Sequence, residues 1–201
     1  MRQQFKSYFI IFSLFLLSAC SSTPPQVETV EWQSHQARLQ AIKNFTVNGK
    51  LAYRSPIERQ AFNFYWQQQA DTSELRLTTF LGQTVLKITT DGNGSTASTY
   101  QGDTLKGANI DDIITQLTGL RIPAIALKQW LLGLPTRNDE YQLNEQHLLQ
   151  SLQHANRWDI EYQSYTEEEV ASQPLALPEK MSLKQQDTSL KIVISNWTIT
   201  Q

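Results

Sequence analysis

Polar and apolar positions along this chain alternate mostly with a period of two. This pattern predicts antiparallel strands that bury one face and expose the other. The clearest alternation occurs in residues 45–53, 62–66, 75–77, 86–88 and 158–162. In the first of these segments Phe45, Val47, Leu51 and Tyr53 share one face. The chain is therefore expected to be mainly β.

Turn residues and weaker alternation predict the remaining strands. The tetrapeptide Asp91-Gly92-Asn93-Gly94 predicts a tight hairpin. The segment 96–106 reads either as another strand pair or as a weakly apolar meander. Glu167-Glu168-Glu169 and the two prolines after it are expected to form a polar loop. Further strands are expected at residues 141–143 and 147–152, and near the end of the chain Met181 and Leu183 are expected to pair with Leu190, Ile192 and Ile194. The total is nine or ten strands.

The period changes in the middle of the chain and near residue 32. Ile110, Ile113, Ile114 and Leu117 follow helical spacing, with Asn109 as a candidate N-cap and Gly119 as a candidate C′ residue. A second short helix is expected to carry Leu127, Trp130 and Leu131 and to end at Gly133. A third helical stripe covers residues 32–44. The predicted fold is one large curved antiparallel sheet, or an unclosed antiparallel β-barrel, with helices as a lid over its concave face.

The first twenty residues have the pattern of a targeting segment rather than of a part of the fold. Arg2 and Lys6 precede an apolar run from Tyr8 to Leu17, which is too short to span a bilayer but suits a signal peptide. The run ends in Leu17-Ser18-Ala19-Cys20, which resembles a bacterial lipobox. That resemblance implies cleavage before Cys20, with S-diacylglycerol and an N-acyl chain on Cys20. The expected organisation is a signal peptide at 1–19, a lipidated tether at 20–31 that contains Pro24-Pro25, and a domain at 32–201.

Composition and motifs argue against several classes of function. The 17 Lys and Arg balance 19 Asp and Glu, whereas general nucleic-acid binding wants a basic face. A single cysteine excludes an internal disulfide and zinc sites built from several thiolates. The sequence has no G-x-S-x-G, H-E-x-x-H or phosphate-binding glycine loop. Asp111-Asp112 is expected to cap a helix, and three histidines are expected at the surface or at strand edges: His35, His147 and His154. No enzyme, metal or cofactor is predicted beyond the lipid on Cys20.

The unusual features of the chain are apolar. Five tryptophans, seven tyrosines and eight phenylalanines are present, many of them on the alternating faces. Large inward residues on a curved sheet either fill a plain core or enclose a cavity for an apolar ligand. The second outlier is Phe80-Leu81-Gly82 between two predicted strands, because turns normally favour polar residues. Leu81 either folds inward or projects as an apolar probe toward acyl chains or membrane, and the sequence leaves both open.

Several segments across the mature chain resemble the LolB family of outer-membrane lipoproteins. The most specific stretch is Leu117-Thr118-Gly119, Ile122-Pro123 and then residues 129–135 (Gln-Trp-Leu-Leu-Gly-Leu-Pro). Further matches are residues 64–68 (Phe-Tyr-Trp-Gln-Gln), Leu81-Gly82, Gln173-Pro174 and Asn196-Trp197. The resemblance implies an unclosed barrel with a helical lid over a hydrophobic cavity. It also implies that Leu81, on a protruding loop, helps deliver acyl chains into the membrane. Phe80 departs from the proline expected before that leucine.

The function implied by the resemblance is non-enzymatic transfer of acylated proteins. A LolA-like periplasmic carrier would hand client lipoproteins to this chain, which would insert them into the inner leaflet of the outer membrane. The chain would be a monomer anchored at the periplasmic face of that membrane, in contact with phospholipid and not with nucleic acid. We expect the loop residues Leu81 and Phe80 to act at the membrane. The acyl-binding cavity is expected to be lined by Phe64, Trp66, Leu75, Leu77, Leu86, Leu127, Trp130 and Leu131.

Other classes stay open on the sequence alone. A lipid-anchored, lipocalin-like binder of a small apolar ligand would share the lipobox and the β-rich cavity. It is disfavoured because no G-x-W lies near the first strand and the helices fall in the middle of the chain. A lipid or cell-wall hydrolase lacks a candidate nucleophile with a base. A structural envelope scaffold without a cavity would show the same alternation.

Overall fold

The computed structural model describes residues 27–118, 122–137 and 139–200. These residues form eleven strands and three helices. The helices are α1 (Trp32–Ala41), α2 (Ile110–Thr118) and α3 (Ala124–Leu131). The strands are β1 (Asn44–Arg54), β2 (Arg59–Gln69), β3 (Thr72–Thr78), β4 (Thr84–Asp91), β5 (Gly94–Thr99), β6 (Thr104–Gly107), β7 (Asp139–Leu143), β8 (Leu149–His154), β9 (Trp158–Val170), β10 (Gln173–Gln185) and β11 (Thr188–Thr200).

All eleven strands belong to one antiparallel sheet. Its order is β6-β5-β4-β3-β2-β1-β11-β10-β9-β8-β7, so β1 and β11 meet in the middle and β6 and β7 are the edges. The sheet does not close on itself, which confirms the predicted fold class. The expected count of nine or ten strands is low, because residues 96–106 do form parts of two strands, β5 and β6. The predicted pairing of Met181 with Ile192 and of Leu183 with Leu190 is confirmed.

The polar loop predicted at Glu167–Glu169 is wrong. These three residues continue β9, and both prolines after them lie inside β10. Glu168 pairs with Leu175 across the two strands, so each glutamate is held by the ladder although its side chain is polar. A run of three acidic residues shows no alternation of polar and apolar side chains, so the prediction missed the strand. Pairing with β10 holds these residues in the extended conformation instead.

β10 tolerates its two prolines because it is paired on only one side there. It pairs with β11 only from Lys180 onward, while it pairs with β9 along its length. A proline lacks the N–H that a central strand needs, so it fits where one side of the strand is free. The free carbonyls find other donors: Arg38 donates to the Pro174 carbonyl at 2.8 Å, and the Trp197 indole N–H donates to the Pro178 carbonyl at 3.1 Å.

Gly49 marks the junction between β1 and β11. The register shifts at this point, and a Cβ on Gly49 would lie 2.1 Å from the Val193 carbonyl oxygen. No side chain fits at that distance, so glycine is required here by the close approach of the two backbones.

The core divides into two clusters of buried residues. The larger joins α1, α3 and most of the sheet, and the smaller joins β4 and β5 to α2. Three partly buried residues pack against both clusters: Leu75, Leu77 and Ile122. These three residues therefore mark the boundary at which the two clusters meet.

Part of the predicted tether is bound to the domain. Val30 N–H donates to the Gln146 carbonyl at 3.0 Å, and Glu28 N–H donates to the Glu167 carboxylate at 3.2 Å. His147 Nδ1 lies 2.9 Å from the Val30 carbonyl oxygen, at an exposed position as predicted for His147. Contact with the domain is thus already made at Glu28, three residues before residue 31, where the tether was predicted to end.

Candidate functional site

An apolar cavity of about 290 Å³ lies between the sheet and the helices α2 and α3. It falls where the two core clusters meet, since residues of both contribute to its wall. Glu58 is its one ionisable carboxylate, and Gln60 is its one amide. The lining residues are Leu51, Tyr53, Glu58, Gln60, Phe62, Phe64, Trp66, Leu75, Leu77, Val85, Leu86, Ile114, Leu117, Ile122, Ala124, Leu127, Leu131 and Ile192.

The floor of the cavity follows from strand register. Phe64 on β2 pairs with Leu77 on β3, and Leu77 pairs with Leu86 on β4. Trp66 pairs with Leu75 in the next position on the same face. Cross-strand neighbours on one face lie within about 5.5 Å, so these apolar side chains form a continuous wall. The structure thus places in one cavity wall five residues that the sequence had assigned to an acyl-binding cavity: Phe64, Trp66, Leu75, Leu77 and Leu86. Binding of acyl chains there stays a prediction.

The cover of the cavity is formed by α2 and α3. Ile114 and Leu117 approach from α2, and Leu127 and Leu131 approach from α3. Leu127 and Leu131 are four residues apart, which places them on one helix face. Both were expected at the cavity from the sequence.

Trp130 does not line the cavity, contrary to the expectation. It is fully buried on another side of α3, where its indole N–H donates to Asp139 Oδ2 at 2.8 Å. Asp139 Oδ2 also accepts from Thr136 N–H at 2.6 Å, and Asp139 Oδ1 lies 2.5 Å from His154 Nδ1. Tyr162 donates its hydroxyl to the Trp130 carbonyl at 2.9 Å, and burial keeps the pKa of Tyr162 well above its usual value. This Asp139 cluster fastens α3 to the β7–β8 edge of the sheet.

Asp111 fastens the other end of α3. Its Oδ1 accepts from Ala124 N–H at 2.8 Å and from Ile125 N–H at 3.4 Å, so it caps α3 although it belongs to α2. The expectation of a capping role holds, but for the following helix. Burial raises the pKa of Asp111, which the two backbone hydrogen bonds partly oppose. Asn109 caps α2 as predicted, by accepting from Asp111 N–H at 2.9 Å.

The loop between β3 and β4 projects two apolar side chains into solvent. Phe80 is 84% exposed and Leu81 is 80% exposed. Thr79 N–H donates to the Gln83 carbonyl at 2.9 Å, and Gly82, with φ of +84°, donates to the Thr79 carbonyl at 3.0 Å. The backbone of the loop is thus closed on itself, and the inward alternative for Leu81 is wrong.

Two of the three histidines, His35 and His154, are more buried than predicted. His35 on α1 is 4% exposed, and burial lowers its pKa to about 4, with Arg38 adding to the effect. The side chain of His154 is 10% exposed and belongs to the Asp139 cluster. Among the described residues no group of three or more His, Cys, Asp or Glu is arranged to hold a metal ion. Three predicted features lie outside the described residues: the lipid-attachment residue Cys20, the signal peptide predicted at 1–19, and the C′ residue Gly119.

No helix in the described ranges has the length and apolar character needed to cross a membrane.

Comparison with known proteins adds a family and a fold. The family model described as "Outer membrane lipoprotein LolB" matches residues 43–197. The chain is 45% identical to "Outer-membrane lipoprotein LolB" of Vibrio vulnificus (strain YJ016) over 199 residues, covering 96% of this chain and 98% of that relative. It is 34% identical to the protein of the same name from Pectobacterium atrosepticum over 193 residues, covering 92% and 91%.

A solved structure of a related fold is also similar to this chain. A LolA superfamily protein from Nitrosomonas europaea superposes with a TM-score of 0.50 at 9% identity, covering 86% of this chain and 94% of that chain. At this identity the similarity concerns the fold alone.

Proposed function

The chain belongs to the LolB family, and we propose on that premise that it is an outer-membrane receptor for lipoproteins. In this proposal it accepts acylated proteins from a LolA-like periplasmic carrier and inserts them into the inner leaflet of the outer membrane. The observation that carries the proposal is the apolar cavity under α2 and α3, because an acyl chain needs an interior of this kind outside the bilayer.

The energetics favour direct transfer between apolar environments. Moving one acyl CH₂ into water costs about 0.8 kcal/mol, so exposing the tails of a triacylated protein costs tens of kcal/mol. Passage from a carrier cavity to this cavity and then to the bilayer exchanges similar surroundings. No nucleotide is needed for such an exchange, and the residues of the cavity are suited to binding rather than to chemistry. We therefore propose a non-enzymatic role.

The anchor and the loop complete the proposed mechanism. Cys20 would carry S-diacylglycerol and an N-acyl chain after removal of residues 1–19, and residues 20–31 would connect it to a monomeric domain at 32–201. Leu81 and Phe80 would enter the membrane and provide an apolar path for the leaving acyl chain. Their exposure supports this role, since two large apolar side chains in solvent lose contact with water on insertion.

Leu81→Asp tests the loop. The variant should fold and should take acylated client from loaded carrier, but it should incorporate less client into liposomes. Gln83→Asp is the matched control, because it places the same charge on the same exposed loop and removes no apolar side chain. Normal incorporation by Leu81→Asp would remove the role assigned to Leu81.

Incubation with loaded carrier tests the receptor role itself. A client should become bound through its acyl chains, and this complex should form with Leu81→Asp as well. If the chain instead binds a free apolar molecule and never an acylated protein, the lipocalin-like alternative is the correct one.

A further inference from the structure

Three alternate hairpin turns present apolar side chains at the same ends of the strands of the sheet. The turns are residues 55–58 between β1 and β2, 79–83 between β3 and β4, and 100–103 between β5 and β6, and we call them together the hairpin edge. Consecutive antiparallel strands reverse direction, so every second turn lies at the same edge. Neighbouring strands are about 4.8 Å apart, so these turns follow one another at about 10 Å.

The exposed side chains of the hairpin edge are unusually large and apolar. Ile57 is 96% exposed and Tyr100 is 68% exposed, in addition to Phe80 and Leu81 on the middle turn. Backbone hydrogen bonds hold the two outer turns. Ser55 N–H donates to the Glu58 carbonyl at 2.8 Å, and Tyr100 N–H donates to the Val85 carbonyl at 3.2 Å.

Two arginines stand beside Ile57. Arg54 and Arg59 are directly opposite each other in the register of β1 and β2, and both are exposed. Like charges at opposite positions destabilise a strand pair. Neither arginine forms an ion pair with a carboxylate among the described residues. The pair therefore places two positive charges next to an exposed isoleucine, with the Glu58 carboxylate as the acidic group of the same turn.

We propose that the whole hairpin edge docks on the bilayer, with Ile57 and Tyr100 in the interface and Arg54 and Arg59 on lipid phosphates. This inference rests on the proposed function, and it extends membrane contact from the middle turn to the two outer turns. Arginine binds phosphate through paired N–H donors, and tyrosine has an apolar ring with a polar end that suits the membrane interface.

A bilayer fits this edge better than a protein does. The apolar side chains are separated by about two strand spacings and stand on different turns, whereas protein interfaces concentrate their energy in a packed central cluster. A fluid interface accepts isolated apolar side chains wherever they are placed. The adjacent arginine pair matches the phosphate layer that such side chains must cross.

The length of the chain before the domain keeps the bilayer within reach. Seven residues lie between Cys20 and Glu28, which is the first of the described residues that is hydrogen-bonded to the domain, and the eight steps from Cys20 to Glu28 span at most about 29 Å when extended. Glu28 and Val30 are bound near the β7–β8 turn and the end of β9, at the edge opposite the hairpin edge. β1 has 11 residues and is about 36 Å long, which is somewhat more than the tether can span. The lipid anchor and the hairpin edge therefore reach the same bilayer when the strands lie obliquely to its plane.

Docking at this edge would also place the cavity against the membrane. Glu58 and Gln60 belong to the first hairpin, and both line the cavity. The cavity therefore extends to the base of that hairpin, and a chain leaving it there would meet the bilayer directly.

Site-specific fluorescence quenching tests the proposal. The lipid on Cys20 would block the sole native thiol, so Ile57→Cys, Tyr100→Cys and Leu81→Cys can each be labelled singly in the full lipid-anchored protein. Val193→Cys, half-exposed in the middle of β11, is the control. In vesicles of phosphatidylethanolamine and phosphatidylglycerol with spin-labelled acyl chains, labels at 57, 81 and 100 should lose fluorescence, and the label at 193 should not.

The outcomes separate this inference from the proposed function. Quenching at 81 without quenching at 57 and 100 would overturn the inference and leave the role of Leu81 intact. Labels at 57 and 100 that respond to the carrier protein but not to vesicles would identify a protein-docking edge instead, and would also overturn it. Failure of client transfer by the unlabelled wild-type protein would contradict the proposed function alone.

The arginines give a second measurement. With Arg54→Gln and Arg59→Gln, client incorporation into vesicles rich in phosphatidylglycerol should fall by about fivefold for each arginine at low salt. Incorporation into vesicles of phosphatidylcholine alone should change much less. An equal loss with both kinds of vesicle would show that the arginines do not act on anionic phosphate.

Discussion

Asp139 is expected to be the most sensitive polar residue of the domain. Its side chain has no exposed surface, and it receives hydrogen bonds from Trp130 on α3 and from Thr136 N–H, with His154 Nδ1 at 2.5 Å. Asp139→Ala removes the carboxylate that these groups contact, and the alanine methyl group cannot accept a hydrogen bond in its place. The substitution should therefore loosen α3, which forms part of the cavity cover through Leu127 and Leu131.

The size of the effect follows from how well each group could be solvated afterwards. Trp130 is completely buried, so its N–H would stay unpaired at a cost of about 1–3 kcal/mol. His154 is slightly exposed and could recover part of its loss from water. Adding about 1 kcal/mol for the lost contact with His154 gives a total of about 2–4 kcal/mol. At about 2–4 °C per kcal/mol for a chain of this size, Tm should fall by about 4–16 °C.

Asp139→Asn is the matched control. Its carbonyl oxygen can still accept from Trp130 and Thr136, and its amide can donate to His154 Nδ1 when the ring proton is on Nε2. This variant should lose less than half of the free energy of unfolding lost by Asp139→Ala. Urea denaturation followed by circular dichroism measures both, and binding of a fluorescent fatty acid reports on the cavity cover.

Two results would refute the reasoning. The first is an Asp139→Ala protein whose free energy of unfolding lies within about 1 kcal/mol of wild type, below the cost of even one unpaired buried donor. The second is an Asp139→Asn protein as unstable as Asp139→Ala, since that would show that charge rather than hydrogen bonding holds the cluster together.

Three further predictions concern the junction of the sheet, the buried histidine and the cavity. Gly49→Ala should lower the free energy of unfolding by at least about 1–3 kcal/mol, because the added Cβ would clash with the Val193 carbonyl oxygen. Gly92→Ala is the control and should leave the free energy of unfolding nearly unchanged, because the space around Gly92 is open. Urea denaturation measures both variants. His35 has a pKa of about 4 in the folded protein against 6.5 normally, so the unfolded chain binds the extra proton and stability should fall as the pH drops from about 6.5 toward 4. In His35→Gln that part of the pH dependence should disappear, and an unchanged pH profile would contradict the assignment. Leu77→Trp should fill part of the cavity. If the larger side chain displaces about two or three methylene groups of a bound fatty acid, binding should weaken about 15- to 60-fold. The control Leu77→Met, which nearly conserves the side-chain volume, should bind the fatty acid nearly as wild type does.

Local patterns predicted the features that depend on neighbouring residues. Alternation identified the inward face of β2, β3 and β4, and helical spacing identified α2 and α3, because both periods are properties of a few consecutive residues. The apolar loop at Leu81 was also visible, since turns rarely carry such residues, although its direction was not. The lipobox and the family resemblance needed no structure at all.

Contacts between distant segments decided the rest. β9 and β10 are long strands because they pair with each other and because Arg38 and Trp197 satisfy the free carbonyls of β10, which no local pattern in the acidic and proline-containing sequence indicates. Trp130 has the right spacing for the cavity, but its indole N–H needs an acceptor when buried, and Asp139 offers one on the other side of the helix.

The sequence by itself determined a lipoprotein-like N-terminus, an antiparallel sheet with mid-chain helices and the apolar side chains that face inward. Only the tertiary structure decided that two core clusters leave a cavity between them, that Asp111 and Asp139 fasten its cover, and that three separate turns share one edge. The physical reason is the sequence separation of the interacting residues. Side-chain periodicity is set within a few consecutive residues, whereas a cavity or a common side of the sheet forms only when segments far apart in the chain are brought together.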